Sequence, residues 1–276
     1  MADKLIQSET LQGIANAIRT KDGTSASIQV SDFAERINDI PSGIDVNDFV
    51  NGTEPRGDVV LTLTTGMRAY ILSYTTNMTS CYAPNYIGAF SNSCLYSNGI
   101  QFVKISFPLA TSSSSSGLRA NRGLRVADIG LTTLIAQNFF DDDRVLTKVI
   151  LRKSNGIATL SNVNAFTNTP FRNYDGKSGV VYCPNSLIST YTGATNWANL
   201  TATSFRAIEN TRYENVKWFE SCNSTCTLDG TTIDVLDTET VAMFKTTEGV
   251  STLYENGTEV TDTTSLVKGR TFTTSI

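Results

Sequence analysis

A short pattern of apolar residues recurs three times in the middle of the chain, and this repetition constrains the fold more than any other feature. Each copy reads apolar-x-x-apolar-x-apolar, and successive copies start 24 and then 22 residues apart. The copies consist of Ile100, Val103 and Ile105, then Leu124, Ala127 and Ile129, then Leu146, Val149 and Leu151. A unit of this length cannot bury its own apolar side chains, whereas stacked units form a continuous core. The spacing therefore predicts a short solenoid within a β-rich domain at residues 44–209.

The residues around and after the third copy resemble a known family. Phe140 stands six residues before Leu146, and "NAFTNTPF" at 164–171 continues the pattern. The stretch "GVVYCPNSLISTYTGATNW" at 179–197 is then followed by Phe205 and Ile208. This arrangement resembles BspA-like leucine-rich repeats and the usual end of such arrays, with Cys183 in place of the family's usual Val. The resemblance implies a leucine-rich-repeat fold that ends in a capping repeat.

Local chemistry gives the same ending a physical interpretation. Pro184 is suited to the start of a short helix after a strand at residues 180–182, and Trp197 is expected to close the core. The run "TSSSSSG" at 111–117 predicts an inserted, flexible surface loop. The run "DDD" at 141–143 predicts a solvated turn between repeats, and calcium is an alternative that needs more oxygen ligands than one run supplies.

Two short amphipathic helices are predicted in residues 1–43. Ser8 and Ser31 are suitable N-caps, and Gly23 is a suitable stop for the first helix. The apolar stripes expected to mediate assembly are formed by Leu11, Ile14 and Ile18 in the first helix and by Phe33 and Ile37 in the second. Helices this short are not stable alone. Their stripes are therefore expected to pack on each other and on a further surface, which is either the following domain or an assembly partner.

Residues 5–43 are similar to a segment common at the start of bacteriophage tail, baseplate and fibre proteins. The similarity includes these apolar positions together with Arg19, Lys21 and Gly23. It implies that residues 1–43 attach or oligomerise the protein within a virion. It also implies a homotrimer, because phage fibres are usually threefold.

The segment 210–276 is predicted to be a small antiparallel β module. Its sequence alternates in "TTIDVLD", "TVAMFKTT", "STLYENGTEV" and "GRTFTTSI", and Asn256-Gly257 is a strong hairpin signal. Tyr213, Trp218 and Phe219 are expected to form the packing between modules. The predicted fold class is mainly β with short helices: an N-terminal helix pair, a short BspA-like leucine-rich-repeat solenoid and this C-terminal module.

Charge and cysteine content exclude several classes of partner. The net charge is −4 with no basic run, so we predict no nucleic-acid partner. No apolar stretch has the length of a membrane span and the first residues lack the order of a signal peptide, so we predict no membrane insertion and synthesis in a host cytoplasm. The five cysteines are irregularly spaced and fit reduced thiols. Cys222 and Cys226 are too few for a zinc site in a chain without histidine.

The sequence favours binding over catalysis. Without histidine no Ser-His-Asp or Cys-His pair exists, and no glycine-rich phosphate loop follows a strand. A glycosidase with two carboxylates remains an alternative. We predict no enzymatic activity, no cofactor, and no catalytic, cofactor-binding or metal-binding residues.

The resemblances imply a virion structural protein of a bacteriophage tail or baseplate, acting as a fibre, adaptor or receptor-binding protein. The implied partners are other virion proteins and a host-surface polysaccharide or protein receptor. About one residue in four is Ser or Thr, and such a surface offers neutral hydrogen bonds to sugar hydroxyls. The alternatives are a phage head fibre or capsid decoration protein, and a bacterial surface adhesin, which should carry a signal peptide or anchor. The sequence does not indicate which residues bind the ligand.

Overall fold

The computed structural model describes residues 15, 43–45, 57–62, 78–90, 95–96 and 103–276. The chain divides into two compact units, Met1–Gly43 and Ile44–Ile276. The predicted assembly residues Leu11, Ile14, Ile18, Phe33 and Ile37 lie outside the described residues. Ala15, in the same segment, is helical and buried. The predicted boundary between residues 209 and 210 lies inside the second unit.

Short strands make up most of the regular structure in the described part of the chain. In chain order they are β1 (Gly43–Asp45), β2 (Gly57–Thr62), β3 (Met78–Tyr82), β4 (Ala89–Phe90), β5 (Lys104–Ser106), β6 (Ser112–Ser113), β7 (Val126–Asp128), β8 (Leu134–Ile135), β9 (Lys148–Ile150), β10 (Thr159–Leu160), β11 (Gly179–Cys183), β12 (Thr203–Ala207), β13 (Ser224–Leu228), β14 (Thr231–Val235), β15 (Tyr254–Glu255), β16 (Thr258–Glu259) and β17 (Thr271–Phe272). The α-helices whose two ends both lie in the described residues are α1 (Ile188–Gly193), α2 (Trp218–Ser221) and α3 (Val241–Glu248). Single 3₁₀ turns lie at Val163–Phe166, Pro170–Arg172, Tyr174–Gly176 and Asn185–Leu187. This confirms a mainly β chain with short helices.

The largest sheet has eight strands in the order β1-β2-β3-β5-β7-β9-β11-β12. From β2 onward the pairs are parallel, and Ile105, Ala127 and Val149 are aligned in register across β5, β7 and β9. Both steps between these strands therefore span 22 residues. The predicted first step of 24 residues was wrong, because apolar residues two positions apart share one side of a strand and fit the pattern equally well. Ile105, rather than Val103, is the counterpart of Ala127.

A second line of short strands accompanies this main sheet. β4 pairs with β6 and β8 pairs with β10, again in parallel. Each turn of the coil therefore adds one strand to each of the two lines. Side chains from both lines of strands form one buried core. Aromatic rings run through it, with the centroids of Phe139 and Phe140 4.7 Å apart and those of Phe140 and Phe166 5.1 Å apart. This continuous core is the burial that a repeating unit cannot achieve alone.

The serine run is part of this coil rather than an inserted loop, which corrects the prediction. Ser112 and Ser113 form β6, and Ser113 is buried. The Ser113 hydroxyl donates to the Leu134 carbonyl at 2.8 Å and accepts from the Ala136 amide at 2.8 Å. Because the Ser113 hydroxyl both donates to and accepts from backbone groups of the next turn of the coil, it can be buried despite its polarity.

The aspartate run forms a turn between successive coils. Asp142 is ion-paired with Arg122 at 2.8 Å and with Arg144 at 2.7 Å. Asp143, however, is fully buried, and its Oδ1 accepts the Asn121 backbone amide at 2.7 Å. The prediction of a solvated turn was therefore wrong for Asp143, whose buried carboxylate joins two successive turns of the coil.

The predicted end of the coil is confirmed. β11 is followed by Pro184, a 3₁₀ turn and α1. Trp197 is 1% exposed and donates its indole N–H to the Ala158 carbonyl at 2.8 Å. β12 then pairs with β11 in register and completes the main sheet.

The C-terminal segment differs from the predicted antiparallel module. β13 pairs antiparallel with β14 but parallel with β17, so this small sheet is mixed. The predicted hairpin at Asn256-Gly257 is confirmed, with φ of 51° and 75° at the two residues joining β15 and β16.

The stretch "TVAMFKTT" forms helix α3 and no strand, which corrects the alternation inferred from sequence. The Thr240 side chain accepts the Met243 amide as an N-cap, and Gly249 ends the helix with φ 67°. Val241 and Phe244 are buried three positions apart, as one side of a helix requires. These caps outweigh the weak alternation.

Candidate functional site

The outer face of the main sheet, which points away from the coil core, is covered by the segment after β12. Its aligned side chains are Tyr82, Ser106, Asp128, Ile150 and Tyr182, all of them buried. Tyr82 stacks on Phe219 with centroids 5.3 Å apart, and Tyr182 meets Tyr213 at 4.8 Å. Trp218 belongs to the same cluster. The prediction that Tyr213, Trp218 and Phe219 form the packing between modules is confirmed.

Asp128 is the polar centre of this covered face. Its carboxylate accepts the Arg152 Nη2–H at 2.6 Å, the Trp218 indole N–H at 3.0 Å and the Ser106 hydroxyl at 3.2 Å. Asp128 itself is fully buried. A buried carboxylate requires such partners, because an uncompensated charge is strongly destabilising. The contacts tie the coil to α2.

A second buried network joins the sheet to α3. Arg212 Nε lies 3.0 Å from a Glu239 carboxylate oxygen, and its Nη1 lies 2.9 Å from Glu248. Lys148 Nζ of β9 lies 2.7 Å from the other Glu248 oxygen. The Thr247 carbonyl, one residue earlier, accepts the Tyr182 hydroxyl. The C-terminal end of α3 is therefore attached to the outer face through both charged and neutral hydrogen bonds.

The charges in this network influence one another. Burial tends to raise the pKa of Glu248, but Lys148 and Arg212 outweigh it and hold this pKa below its ordinary value. Burial also lowers the pKa of Lys148, against the attraction of Glu248. The Nη2 of Arg212, which is buried, has no hydrogen-bond acceptor within the part of the chain that the structure describes. Among these residues, some of the hydrogen-bond donor capacity of the Arg212 guanidinium is therefore unused.

A cleft of about 400 Å³ lies beside these networks, between the edge of the outer face and β14. Four cationic side chains and two carboxylates line it: Lys104, Arg125, Lys148, Arg212, Asp234 and Glu248. Its neutral lining includes the valines at 103 and 126 and the threonines at 147, 231 and 232. Clefts of this volume hold small ligands or a few units of a polymer.

The cleft has a surplus of positive charge although the whole chain is acidic. Asp234 is paired with Lys104 at 3.2 Å, and Glu248 is shared by Lys148 and Arg212. Arg125 is exposed and has no ion-pair partner among the residues that the structure describes. An anionic group would therefore find an unneutralised guanidinium at this position. Since both lining carboxylates are held in ion pairs, the arrangement suits binding better than proton transfer.

The predicted cysteine chemistry can be compared with the structure for part of the chain. Cys183, Cys222 and Cys226 are buried free thiols. Burial raises the pKa of Cys222 and of Cys226 to about 11, so both remain protonated and unreactive at neutral pH. In the described ranges no group of three or more His, Cys, Asp or Glu side chains is placed to hold a metal ion.

The cleft residues were not identified from the sequence. Lys104 and Lys148 occupy corresponding positions two turns of the coil apart, each just before a core residue. This recurrence of lysine at outer positions was the available signal. The partners Arg212 and Glu248 are 64 and 100 residues from Lys148, and no local pattern links them to it.

Together these features define a parallel β coil whose outer face is covered by a mixed β module with two helices, α2 and α3, at the contact. Comparison of the chain with protein-family models, with curated protein sequences and with solved structures found no match. Within the described residues, no helix has the length and apolar character that crossing a lipid bilayer requires.

Proposed function

We propose that the chain is a structural protein of a bacteriophage tail or baseplate, acting as a fibre, adaptor or receptor-binding protein. It is made in the host cytoplasm and resides in the virion. The observation that carries the proposal is the covered outer face: the Lys148–Glu248 ion pair and the Trp218–Asp128 hydrogen bond fix the C-terminal module on the coil, and a polar, cationic cleft lies beside it. Such a unit is suited to binding, and residues 1–43 supply a separate unit whose sequence resembles a virion attachment segment.

We further propose that the coil is a BspA-like leucine-rich-repeat array. The regular step of 22 residues, the burial of Phe140 and the closure by Trp197 support this assignment. In this assignment β11, α1 and β12 form the capping repeat.

The proposed partners follow from the two units. Residues 1–43 bind other tail or baseplate proteins and form a homotrimer through Leu11, Ile14, Ile18, Phe33 and Ile37. Residues 44–276 bind a host-surface polysaccharide or protein receptor. The proposed role involves no nucleic acid, no membrane insertion, no cofactor and no enzymatic activity.

Labelling of intact particles tests the location. An antibody raised against the chain, detected with gold by electron microscopy of phage particles, should label the tail or baseplate. Labelling of the capsid would favour a head fibre or decoration protein instead. Detection on bacterial surfaces free of particles would favour an adhesin and contradict the virion proposal.

Removal of residues 1–43 tests the division of roles. The truncated chain should keep the thermal unfolding transition of residues 44–276 and lose both trimerisation, measured by light scattering, and incorporation into particles. A truncated chain that still trimerises or enters particles contradicts the assembly role.

A further inference from the structure

We propose that the cleft beside β14 binds an anionic glycan, with Arg125 contacting the carboxylate or phosphate group and the cleft threonines contacting sugar hydroxyls. This inference rests on the proposed host-surface role and specifies its ligand class. The shared chemistry is a negatively charged group carried on a polyhydroxylated chain.

The charge distribution supports an anionic ligand. Three of the four cations lining the cleft are neutralised by protein carboxylates, whereas Arg125 is exposed and has no ion pair among the residues described. Arg212, which is 2% exposed, also has a guanidinium nitrogen without an acceptor within the described part of the chain. An arginine fork is the side chain best matched to a carboxylate or phosphate. Arg125 is therefore the accessible cation in the cleft lining that an anion can contact.

The neutral lining supports a glycan as the carrier of that anion. Thr147 lies on the next turn of the coil, where its amide donates to the Arg125 carbonyl at 3.0 Å. Thr231 and Thr232 are exposed on β14 across the cleft. Hydroxyl groups on both sides of the cleft can exchange hydrogen bonds with sugar hydroxyls. The valines at 103 and 126 provide an apolar surface for the C–H face of a sugar ring.

The net charge of the chain limits alternatives. A net charge of −4 disfavours the binding of long polyanions. A short charged segment of a glycan fits this pattern better than a nucleic acid, which requires a continuous basic surface.

The test is a titration of the full-length chain with defined probes, in which binding is measured by calorimetry or fluorescence. The probes are a glucuronate-containing hyaluronan oligosaccharide, a glycerol-phosphate teichoic acid, a neutral dextran oligosaccharide and single-stranded DNA. We expect binding of one or both anionic glycans, and the two arms distinguish a carboxylate from a phosphate. Binding should weaken as ionic strength rises.

Three variants assign the binding to the cleft. Arg125→Gln should weaken glycan binding about tenfold or more, as the loss of one charge-assisted hydrogen bond implies. Arg172→Gln removes an equal charge from an exposed arginine outside the cleft lining and should leave binding unchanged. Arg125→Lys should retain part of the affinity. An unaltered unfolding midpoint in all three variants shows that folding is intact.

Several results would overturn the inference. These are no binding of either anionic glycan, equal binding of dextran, equal binding of DNA, or equal losses in Arg125→Gln and Arg172→Gln. The particle labelling described above is independent of the titration. A chain that is found in the tail but binds no anionic glycan refutes the cleft ligand alone, whereas a chain that binds such a glycan but is absent from particles refutes the virion role alone.

Discussion

The two faces of the main sheet are stabilised by different chemistry. The inner face, toward the coil core, carries Ile105, Ala127, Val149 and Val181, all fully or almost fully buried and apolar. The outer face carries Asp128 and the tyrosines at 82 and 182, and these three side chains are equally buried. Inner-face stability comes from apolar burial, which tolerates exchange of similar side chains. Outer-face stability depends on specific partners, because each buried charge needs its counterpart.

This difference has a consequence for how the module is positioned. An apolar contact has no directional requirement, so a sheet covered only by apolar side chains permits several placements of the covering segment. The polar contacts that cross from the module to the sheet require one placement, in which the Trp218 indole nitrogen lies 3.0 Å from the Asp128 carboxylate and Lys148 Nζ lies 2.7 Å from the Glu248 carboxylate. The cleft exists because of that placement, since β14 stands beside Lys104 and Lys148 only there.

The largest expected effect is the loss of a buried charge from the outer face. Arg212→Ala leaves Glu239 without its arginine partner and Glu248 with Lys148 alone, and should lower the free energy of unfolding by about 3–5 kcal/mol. Chemical denaturation checks this. Lys177→Ala is the control, because the Lys177–Asp175 pair is exposed and its removal should change stability by less than about 1 kcal/mol. Equal effects of the two variants would contradict the contrast between the faces.

The matching change in the coil core, which the inner face packs against, is Leu146→Ala. Leu146 is fully buried in the coil core, so truncation removes apolar burial and leaves a cavity at a cost of about 2–5 kcal/mol. Denaturation again measures the loss. Leu146→Met keeps the volume and should cost less than about 1.5 kcal/mol. A full loss in Leu146→Met would mean that this core requires specific side chains, as the outer face does.

The contrast between the faces also explains what could be predicted from the sequence. The inner face repeats locally, so the positions of Ala127 and Val149 and the closing role of Trp197 followed from spacing. The register between β5 and β7 could not be predicted, because Val103 and Ile105 fit the pattern equally well. Composition gave the wrong prediction for Ser113 and Asp143, because their buried polar groups form hydrogen bonds with neighbouring turns of the coil. The outer networks and the cleft depend on contacts such as Lys148 to Glu248, and no periodicity encodes a pairing over 100 residues.

A smaller, pH-dependent effect is expected from Asp143, the buried polar exception on the inner side. Burial raises the pKa of Asp143 well above its ordinary value, against the opposing hydrogen bond from the Asn121 amide. The folded state therefore holds this proton more tightly than the unfolded state. Stability from this group is complete below the unfolded pKa of about 3.9 and is lost as pH rises toward the folded pKa, by up to about 1.4 kcal/mol per pH unit.

Asp143→Asn should remove this slope. The amide cannot ionise, so the unfolding free energy of the variant should fall less than that of the parent as pH rises from the unfolded to the folded pKa of Asp143. Unfolding measured across a pH series compares the two. Asp175→Asn, at an exposed aspartate on the same coil, is the control and should retain the slope of the parent. Parallel pH profiles of Asp143→Asn and the parent would contradict the assignment.

The smallest expected effect concerns the helix that attaches the covering module to the outer face. The Thr240 hydroxyl accepts the Met243 amide at 3.3 Å and caps α3, whose other end carries Thr247 and Glu248. Thr240→Ala should cost about 1 kcal/mol, within the range of about 0.5–2 kcal/mol for such caps. Thr240→Ser keeps the oxygen and should restore most of the loss, whereas Thr238→Ala at a neighbouring exposed threonine should have little effect. Hydrogen exchange locates the loss: if α3 unfolds together with the rest of the C-terminal module, the amides of α3 and β14 should exchange faster while those of β7 and β9 in the main sheet remain protected. Faster exchange of β7 and β9 as well would mean that the module and the main sheet unfold together, as one cooperative unit.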